Sequence, residues 1–198
     1  EEKHIQALLD ALAIQSYSNF ETILVDSGSL DRTREIAEGQ VDTLLRIDSQ
    51  DFTFGYSLNV GIQVAKGRFA VIVSAHTLPL NNRWLSGLLA PFSEDSIAMT
   101  YGRQLGGGES NFSELQDLRR TFGPKPKVLH PPHYFAHNGN SAIRIALWKE
   151  HNFDEQLPGL EDIEWARFWM DKGYRVAYDP DAGLHHNHKE HWTQIRRR

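Results

Sequence analysis

The feature that most constrains the fold is the apolar run Phe69–Val73, which lies between Gly67 and Pro79. A run of this kind, bounded by chain-breaking residues, is typical of a strand buried in a parallel sheet. It is followed by Ser74 and His76, whose spacing puts both side chains on one side of an extended chain. Because ligands of open α/β sheets bind beyond the carboxyl ends of strands, this strand end predicts the centre of a site.

The segments on both sides of this strand alternate between strand and helix patterns. This alternation predicts an α/β fold with a mostly parallel sheet, right-handed crossovers and flanking helices. The loop at 123–137, with four prolines and three histidines, is expected near the ligand site. Strands are expected at 20–25, 43–47, 68–79, 96–105, 141–145 and 175–178, and helices at 1–15, 32–38, 54–65, 84–92, 112–122, 146–151 and from 160 to Gly173.

Composition narrows the class of protein. The 198 residues, 40% of them hydrophobic, suit a single domain over 1–198 with a substantial core. A formal net charge of -5 argues against a general nucleic-acid binder. No apolar run approaches the roughly 18 residues of a membrane span. The absence of cysteine excludes thiolate metal sites and fits a reducing compartment, so we expect the cytoplasm, either free or at the inner face of the membrane.

Asp26 is the first candidate for chemistry. It lies at the expected end of a strand, before a turn that contains Gly28 and leads into a helix. A carboxylate there can accept hydrogen bonds from a ribose or a base. The alternative is a cap that accepts hydrogen bonds from its own turn. The residue by itself leaves both interpretations open.

Histidines form the second group of candidates. Neutral imidazole is a common ligand for divalent metals, so His76 is either a metal ligand or a partly buried structural histidine. The densest cluster includes His186 and His188, whose spacing is that of one strand face. Two such nitrogens can bind a metal or phosphate oxygens, and a solvated tail is the alternative.

The pair Glu161-Asp162 lies at a predicted helix start, after a loop that contains Pro158 and Gly159. Carboxylates at this position are stabilised by the helix dipole, which favours a capping role. If the preceding loop instead holds one of these carboxylates over a cleft, that carboxylate can act as a general base for a substrate proton.

In this order, the motifs resemble those of the family-two glycosyltransferases, which have the GT-A nucleotide-sugar-binding fold. The ordered set covers nearly the whole chain. The matching segments are V-D-x-G-S-x-D-x-T at 25–33, N-x-G-x at 59–62 with A-x-G at 65–67, the strand 68–79 in the place of the strand that ends in a D-x-D metal motif, E-D at 161–162, and G-Y-R-V at 173–176 through Pro180 to His186.

The resemblance implies an inverting, bacterial, polysaccharide-type enzyme. It would transfer a sugar from a UDP- or dTDP-linked donor to a hydroxyl of a saccharide or lipid-linked acceptor. A divalent metal, Mn²⁺ or Mg²⁺, would neutralise the leaving diphosphate. The implied residues are Asp162 as base with Glu161 beside it; Asp26, Gly28, Ser29, Asn59 and Ser74 on the nucleotide; Arg103, Asn138 and Asn140 on the acceptor and sugar side; and His76 and His186 at the metal.

The chain departs from the family pattern at several points. Ser74-Ala75-His76 stands in place of D-x-D, and because imidazole suits later metals better than magnesium, Mn²⁺ is favoured. Leu58 stands where many relatives have arginine. The family's first strand, normally central in the sheet, would precede Glu1. We therefore expect a fragment truncated at both ends, or another element in the place of that strand.

Two other functions remain open. The altered metal motif suggests a domain of this fold that binds a nucleotide sugar without catalysis. A His-ligated metal hydrolase that uses His76, His186 and His188 is the alternative from a different class, and it predicts hydrolysis without a nucleotide.

Overall fold

The computed structural model describes residues 1–107, 110 and 112–186. His188 therefore lies outside the described residues. The helices are α1 (Ile5–Ala13), α2 (Thr33–Ala37), α3 (Phe54–Val64), α4 (Trp84–Leu89), α5 (Phe112–Thr121), α6 (Ile145–Glu150) and α7 (Glu161–Asp171). The strands are β1 (Ile23–Asp26), β2 (Thr43–Arg46), β3 (Phe69–Val73), β4 (Thr77–Pro79), β5 (Ile97–Gly106), β6 (Lys127–Leu129), β7 (Asn140–Arg144) and β8 (Arg175–His186).

The described strands form two sheets. β1 and β2 pair in parallel, and the larger sheet has the order β3-β7-β5-β8-β4 with β6 beside β8. Within the larger sheet β5 and β8 are parallel, whereas β7 runs antiparallel to both β3 and β5. The α/β class with flanking helices is confirmed, and the sheet is mixed because β7 lies between β3 and β5.

The stretch 68–79, which was predicted as one strand, forms two strands with a turn between them. β3 ends at Val73, and the carbonyl of Ser74 accepts hydrogen bonds from Thr77 N (3.1 Å) and Thr77 Oγ1 (2.7 Å). The turn lets β4 leave β3 and pair with the end of β8, where Thr77 lies opposite His186. The neighbour of β3 is the antiparallel β7, not a parallel strand.

The last strand is longer than predicted and passes through Pro180 to His186. A register shift on β5 between Gly102 and Gln104 accommodates this stretch. At Gly102 the backbone lies so close to Ala182 O that a Cβ would overlap it, so a glycine is required there. The longer strand carries His186 to the end of the sheet.

The helices pack on both faces of the larger sheet. Ile143, Val176 and Tyr178 belong to one buried cluster, whereas Ala142 and Ala177 belong to a second. Neighbours on one strand fall in different clusters because successive strand residues point to opposite faces. Among the residues that the structure describes, no helix is long and apolar enough to cross a membrane.

Candidate active site

Two histidines meet at the end of the larger sheet. His76 Nε2 lies 2.9 Å from His186 Nε2, and the ring centroids are 4.8 Å apart at an interplanar angle of 24°. The pairing of Thr77 with His186 produces this contact, since it brings the turn after β3 alongside the end of β8. The structure therefore brings together the two residues predicted to bind a metal.

The other ring nitrogens of the pair have oxygen partners. His186 Nδ1 lies 2.6 Å from Gln104 Oε1, and His76 Nδ1 lies 3.1 Å from Glu1 Oε1. The hydrogen bond with His76 lowers the pKa of Glu1 below its usual value. With each Nδ1 facing an oxygen, a cation at this pair would be bound through the Nε2 atoms.

The pair fits two adjacent ligands of one cation. Octahedral ligands about 2.1 Å from a metal at right angles stand about 3 Å apart, which is close to the observed nitrogen separation. Within the described residues, no group of three or more His, Cys, Asp or Glu side chains is arranged as a complete metal cage. Within the described residues the pair offers two nitrogens, and a cation held there would need oxygen ligands from a substrate or other groups to complete its coordination.

The carboxylate pair lies at the start of α7. The helix follows Leu160, which is 69% exposed and has a left-handed backbone conformation with φ of 66°. Asp162 Oδ1 accepts a hydrogen bond from Ile163 N (2.8 Å), and Asp162 Oδ2 accepts one from Asn138 N (3.0 Å). Glu161 is buried, and its Oε1 accepts from Asn138 Nδ2 (3.1 Å). Asp162 is thus oriented by backbone donors while it remains partly exposed.

One short stretch reaches the carboxylate pair directly and the histidine pair through Gln104. We call His137–Gly139 the connecting turn. His137 Nδ1 lies 2.8 Å from Gln104 Nε2, on the side of the histidine pair, while Asn138 holds Glu161 and Asp162. The connecting turn therefore sets the position of the carboxylates relative to the histidines.

Burial and the neighbouring Asp162 charge raise the pKa of Glu161, against the hydrogen bond from Asn138. An ionised Glu161 therefore destabilises the folded state above its folded pKa, and this penalty disappears below 4.5, the ordinary value. Glu161→Gln keeps the acceptor oxygen for Asn138 and removes the charge. We expect a higher melting temperature than the wild type at neutral pH and a gain that vanishes as the pH falls below 4.5. Thermal unfolding measured across this range tests the prediction, with the exposed Glu150→Gln as control; a gain that does not depend on pH would contradict it.

Asp26 lies at the end of β1 and is buried. Its carboxylate accepts hydrogen bonds from Gly28 N and Ser29 N, both at 3.2 Å, and Arg34 Nε lies 3.9 Å away. Gly28 has φ of 91°, so the turn needs a residue that tolerates this conformation. The capping alternative is therefore observed, and the nucleotide contacts of Asp26, Gly28 and Ser29 stay predictions.

The side-chain amide of Asn59 is held by internal hydrogen bonds, and its predicted nucleotide contact stays a prediction. The amide nitrogen donates to Phe153 O and Glu155 Oε1, both at 2.9 Å. The amide oxygen accepts from Trp148 Nε1 (2.8 Å) and Phe153 N (3.1 Å). All four hydrogen-bonding positions are used, so Asn59 ties α3 to α6 and the following loop.

Asn140 also has internal hydrogen-bond partners, and its predicted place on the acceptor and sugar side stays a prediction. It is fully buried, and its Oδ1 accepts from Trp84 Nε1 (2.9 Å). Its Nδ2 donates to Arg103 O (3.1 Å) and Ala182 O (2.9 Å). These bonds hold α4, β5 and β8 together at the strand irregularity, because the unpaired carbonyls there need a donor.

Arg103 keeps an unused donor. Within the part of the chain that the structure describes, its Nε is buried and has no hydrogen-bond partner. Burial raises the pKa of the nearby Tyr178 to about 12, and the positive charge of Arg103 opposes that rise. Arg103 therefore remains a candidate for an anionic ligand group. Ser74 contributes its carbonyl to the turn before β4, and its predicted nucleotide contact stays a prediction.

Solved structures with the same architecture are glycosyltransferases of the GT-A fold. S. aureus TarS in complex with UDP matches with a TM-score of 0.74 and 20% identity over 94% of this chain and 57% of that chain. The mannosyltransferase PcManGT from Pyrobaculum calidifontis, in complex with GDP-Man and Mn²⁺, matches with a TM-score of 0.70 and 20% identity over 93% and 53%. The fold of this chain is therefore the GT-A fold.

The family follows from the sequence comparison. The model described as Glycosyl transferase family 2 matches residues 1–151, and the chain belongs to that family. The O-antigen chain rhamnosyltransferase WbaN of Salmonella anatum is 26% identical over 176 residues, which are 84% of this chain and 56% of WbaN. The chain thus spans little more than half the length of this relative.

Two residues of the site, Gln104 and His137, were given no role from the sequence. Gln104 follows the candidate Arg103 in the expected strand 96–105, and His137 ends the loop expected near the ligand site. The contact of Gln104 with His186 depends on the pairing of β5 with β8, which no local pattern reveals.

Proposed function

We propose that this chain transfers a sugar from a nucleoside-diphosphate sugar to an acceptor hydroxyl, with inversion at the anomeric carbon. The observation that carries the proposal is the connecting turn, which links the histidine pair, through Gln104, to a partly exposed, oriented carboxylate. A transferase of this kind needs a cation for the diphosphate and a base for the acceptor. The family supports the donor class.

Asp162 is the proposed base. The acceptor oxygen forms a bond to the anomeric carbon as the bond from that carbon to the diphosphate oxygen breaks, and the hydroxyl proton passes to Asp162. The donors Asn138 N and Ile163 N orient the carboxylate before the acceptor arrives. The buried Glu161 supports this arrangement through Asn138.

His76 and His186 are the proposed metal ligands. A bound divalent cation supplies Lewis-acid neutralisation of the leaving diphosphate. Imidazole nitrogens favour Mn²⁺ over Mg²⁺, and the PcManGT structure contains Mn²⁺ with GDP-Man. Arg103, with its unused donor, is the proposed contact for an anionic group on the donor or acceptor.

The proposed donor is a UDP- or dTDP-linked sugar, and the proposed acceptor is a saccharide or lipid-linked saccharide of polysaccharide synthesis. The TarS structure supports a nucleotide of this kind, since it contains UDP. The name of WbaN supports a growing polysaccharide chain as acceptor.

A binding domain without catalysis is the second candidate. It is favoured by the Ser74-Ala75-His76 departure from the D-x-D motif. It shares donor binding with the first candidate and differs in the absence of turnover. A His-ligated hydrolase would need His188, which lies outside the described residues.

Calorimetric titration of UDP, dTDP and GDP, each with and without Mn²⁺, tests the proposed ligand class. We expect UDP or dTDP to bind and Mn²⁺ to strengthen that binding, because a cation held by the histidine pair would neutralise charge on the diphosphate. ATP with Mn²⁺ is the control for unspecific phosphate binding. Absence of binding to every nucleoside diphosphate under both conditions would overturn both candidates.

A further inference from the structure

Gln104 lies between two imidazoles beside the candidate cation site. It is 1% exposed, its Nε2 is 2.8 Å from His137 Nδ1, and its Oε1 is 2.6 Å from His186 Nδ1. A glutamine amide donates at nitrogen and accepts at oxygen. The orientation of this amide therefore decides which nitrogen of His186 carries a proton.

The connecting turn determines that orientation. Gly139 N–H lies 3.1 Å from His137 Nδ1 and donates to it, so His137 Nδ1 is an acceptor without a proton. The Gln104 atom that faces His137 must then be the donor, Nε2. Its oxygen consequently faces His186.

The acceptor Oε1 requires a proton on His186 Nδ1. In neutral imidazole the other nitrogen then carries a lone pair, and in His186 this nitrogen is 2.9 Å from His76 Nε2. The carboxylate of Glu1 imposes the same tautomer on His76, since it accepts at Nδ1. Two unprotonated nitrogens 2.9 Å apart repel each other, and a cation bound by both would remove the repulsion.

We infer that Gln104, oriented by His137, is a positioning residue that holds His186 in the Nδ1-protonated tautomer and directs Nε2 to the cation shared with His76. The inference rests on the proposed metal role of the histidine pair. Close packing at Gly139 maintains the geometry, because a Cβ there would meet ring atoms of both His137 and His186 at 3.1 Å. A metal-bound histidine ordinarily has its second nitrogen held by such a partner.

The test combines tautomer and affinity measurements on ¹⁵N-labelled protein. Long-range ¹H–¹⁵N spectra of the metal-free protein distinguish Nδ1–H from Nε2–H imidazole, and calorimetry measures Mn²⁺ affinity. Gln104→Met removes both hydrogen bonds at similar volume. Gln15→Met is the matched control, because Gln15 is a buried glutamine that donates to the carbonyls of Ala11 and Asn81.

We expect the wild type to show Nδ1–H at His186. Gln104→Met should shift this ring toward Nε2–H and weaken Mn²⁺ binding by about 10- to 100-fold, whereas Gln15→Met should lower stability without either change. His137→Leu should resemble Gln104→Met. His137→Asn should restore the tautomer, because its side-chain oxygen again accepts from Gln104.

An Nε2–H tautomer in the wild type overturns the inference without any variant. An unchanged tautomer in Gln104→Met, or in His137→Leu if the first variant does not fold, also overturns it. A third outcome is that the wild type has Nδ1–H at His186 and the variants lose this tautomer, but the wild type does not bind Mn²⁺. That outcome contradicts the proposed metal site and supports the positioning role of Gln104.

Discussion

Replacing Asp162 with asparagine is expected to lower the rate of sugar transfer by about 10²- to 10⁴-fold, the usual contribution of a general base. The variant keeps an oxygen that can accept from Asn138 N or Ile163 N, so the start of α7 should remain intact. It cannot take the acceptor proton. Release of UDP or dTDP from a panel of nucleotide sugars, measured with a saccharide acceptor, gives the rate.

Nucleotide binding by Asp162→Asn distinguishes a loss of catalysis from a loss of the folded structure. Asp162→Asn should bind the donor nucleotide as tightly as the wild type, because Asp162 contacts the acceptor in the proposed mechanism. Asp171→Asn, at the opposite end of the same helix, is the matched control and should keep the wild-type rate. Full activity in Asp162→Asn would show that the base is another residue. If the wild type and Asp162→Asn are both inactive, the result favours the binding domain without catalysis.

Removal of either histidine of the pair is expected to abolish the effect of Mn²⁺ on nucleotide binding. Loss of an outer partner of a metal ligand costs about 10- to 100-fold in metal affinity, so loss of a ligand should cost at least about 100-fold. His76→Ala and His186→Ala should therefore give nearly the same weak binding with and without Mn²⁺. Calorimetric titration of UDP and dTDP under both conditions measures the difference.

His185→Asn is the control for this pair of variants. His185 precedes His186 on β8, and strand alternation directs it to the other face of the sheet, where its Nδ1 contacts Gly106 O. It should keep the full effect of Mn²⁺. An undiminished Mn²⁺ effect in His76→Ala would remove His76 from the site and leave the Ser74-Ala75-His76 segment with a structural role.

The hydrogen bonds of Asp26, Asn59 and Asn140 show what a sequence motif can and cannot tell about the role of a residue. Each was assigned by its place in a pattern, yet the structure gives each one hydrogen bonds to its own protein. A motif gives the residue type at a position. Whether that side chain binds a ligand or stabilises the fold depends on the partners that surround it once the chain has folded.

Local patterns in the sequence were sufficient for the α/β class, most helices and strands, and the carboxylate pair at the start of α7. Periodicity and helix-start signals act over a few residues, so they are readable without a partner. The length of β8 and the division of the stretch 68–79 into β3 and β4 could not be predicted from the sequence, because both depend on strand pairing.

The sequence by itself determined that Ser74-Ala75-His76 ends a strand and that His76 and His186 are candidates for one metal. Only the tertiary structure decided that they meet, since the contact joins residues 110 positions apart through the pairing of β4 with β8. The tertiary structure also supplied Gln104 and His137, whose partners belong to other elements. The physical reason is that the direction of a lone pair depends on every hydrogen bond around the ring, and those bonds exist only once the chain has folded.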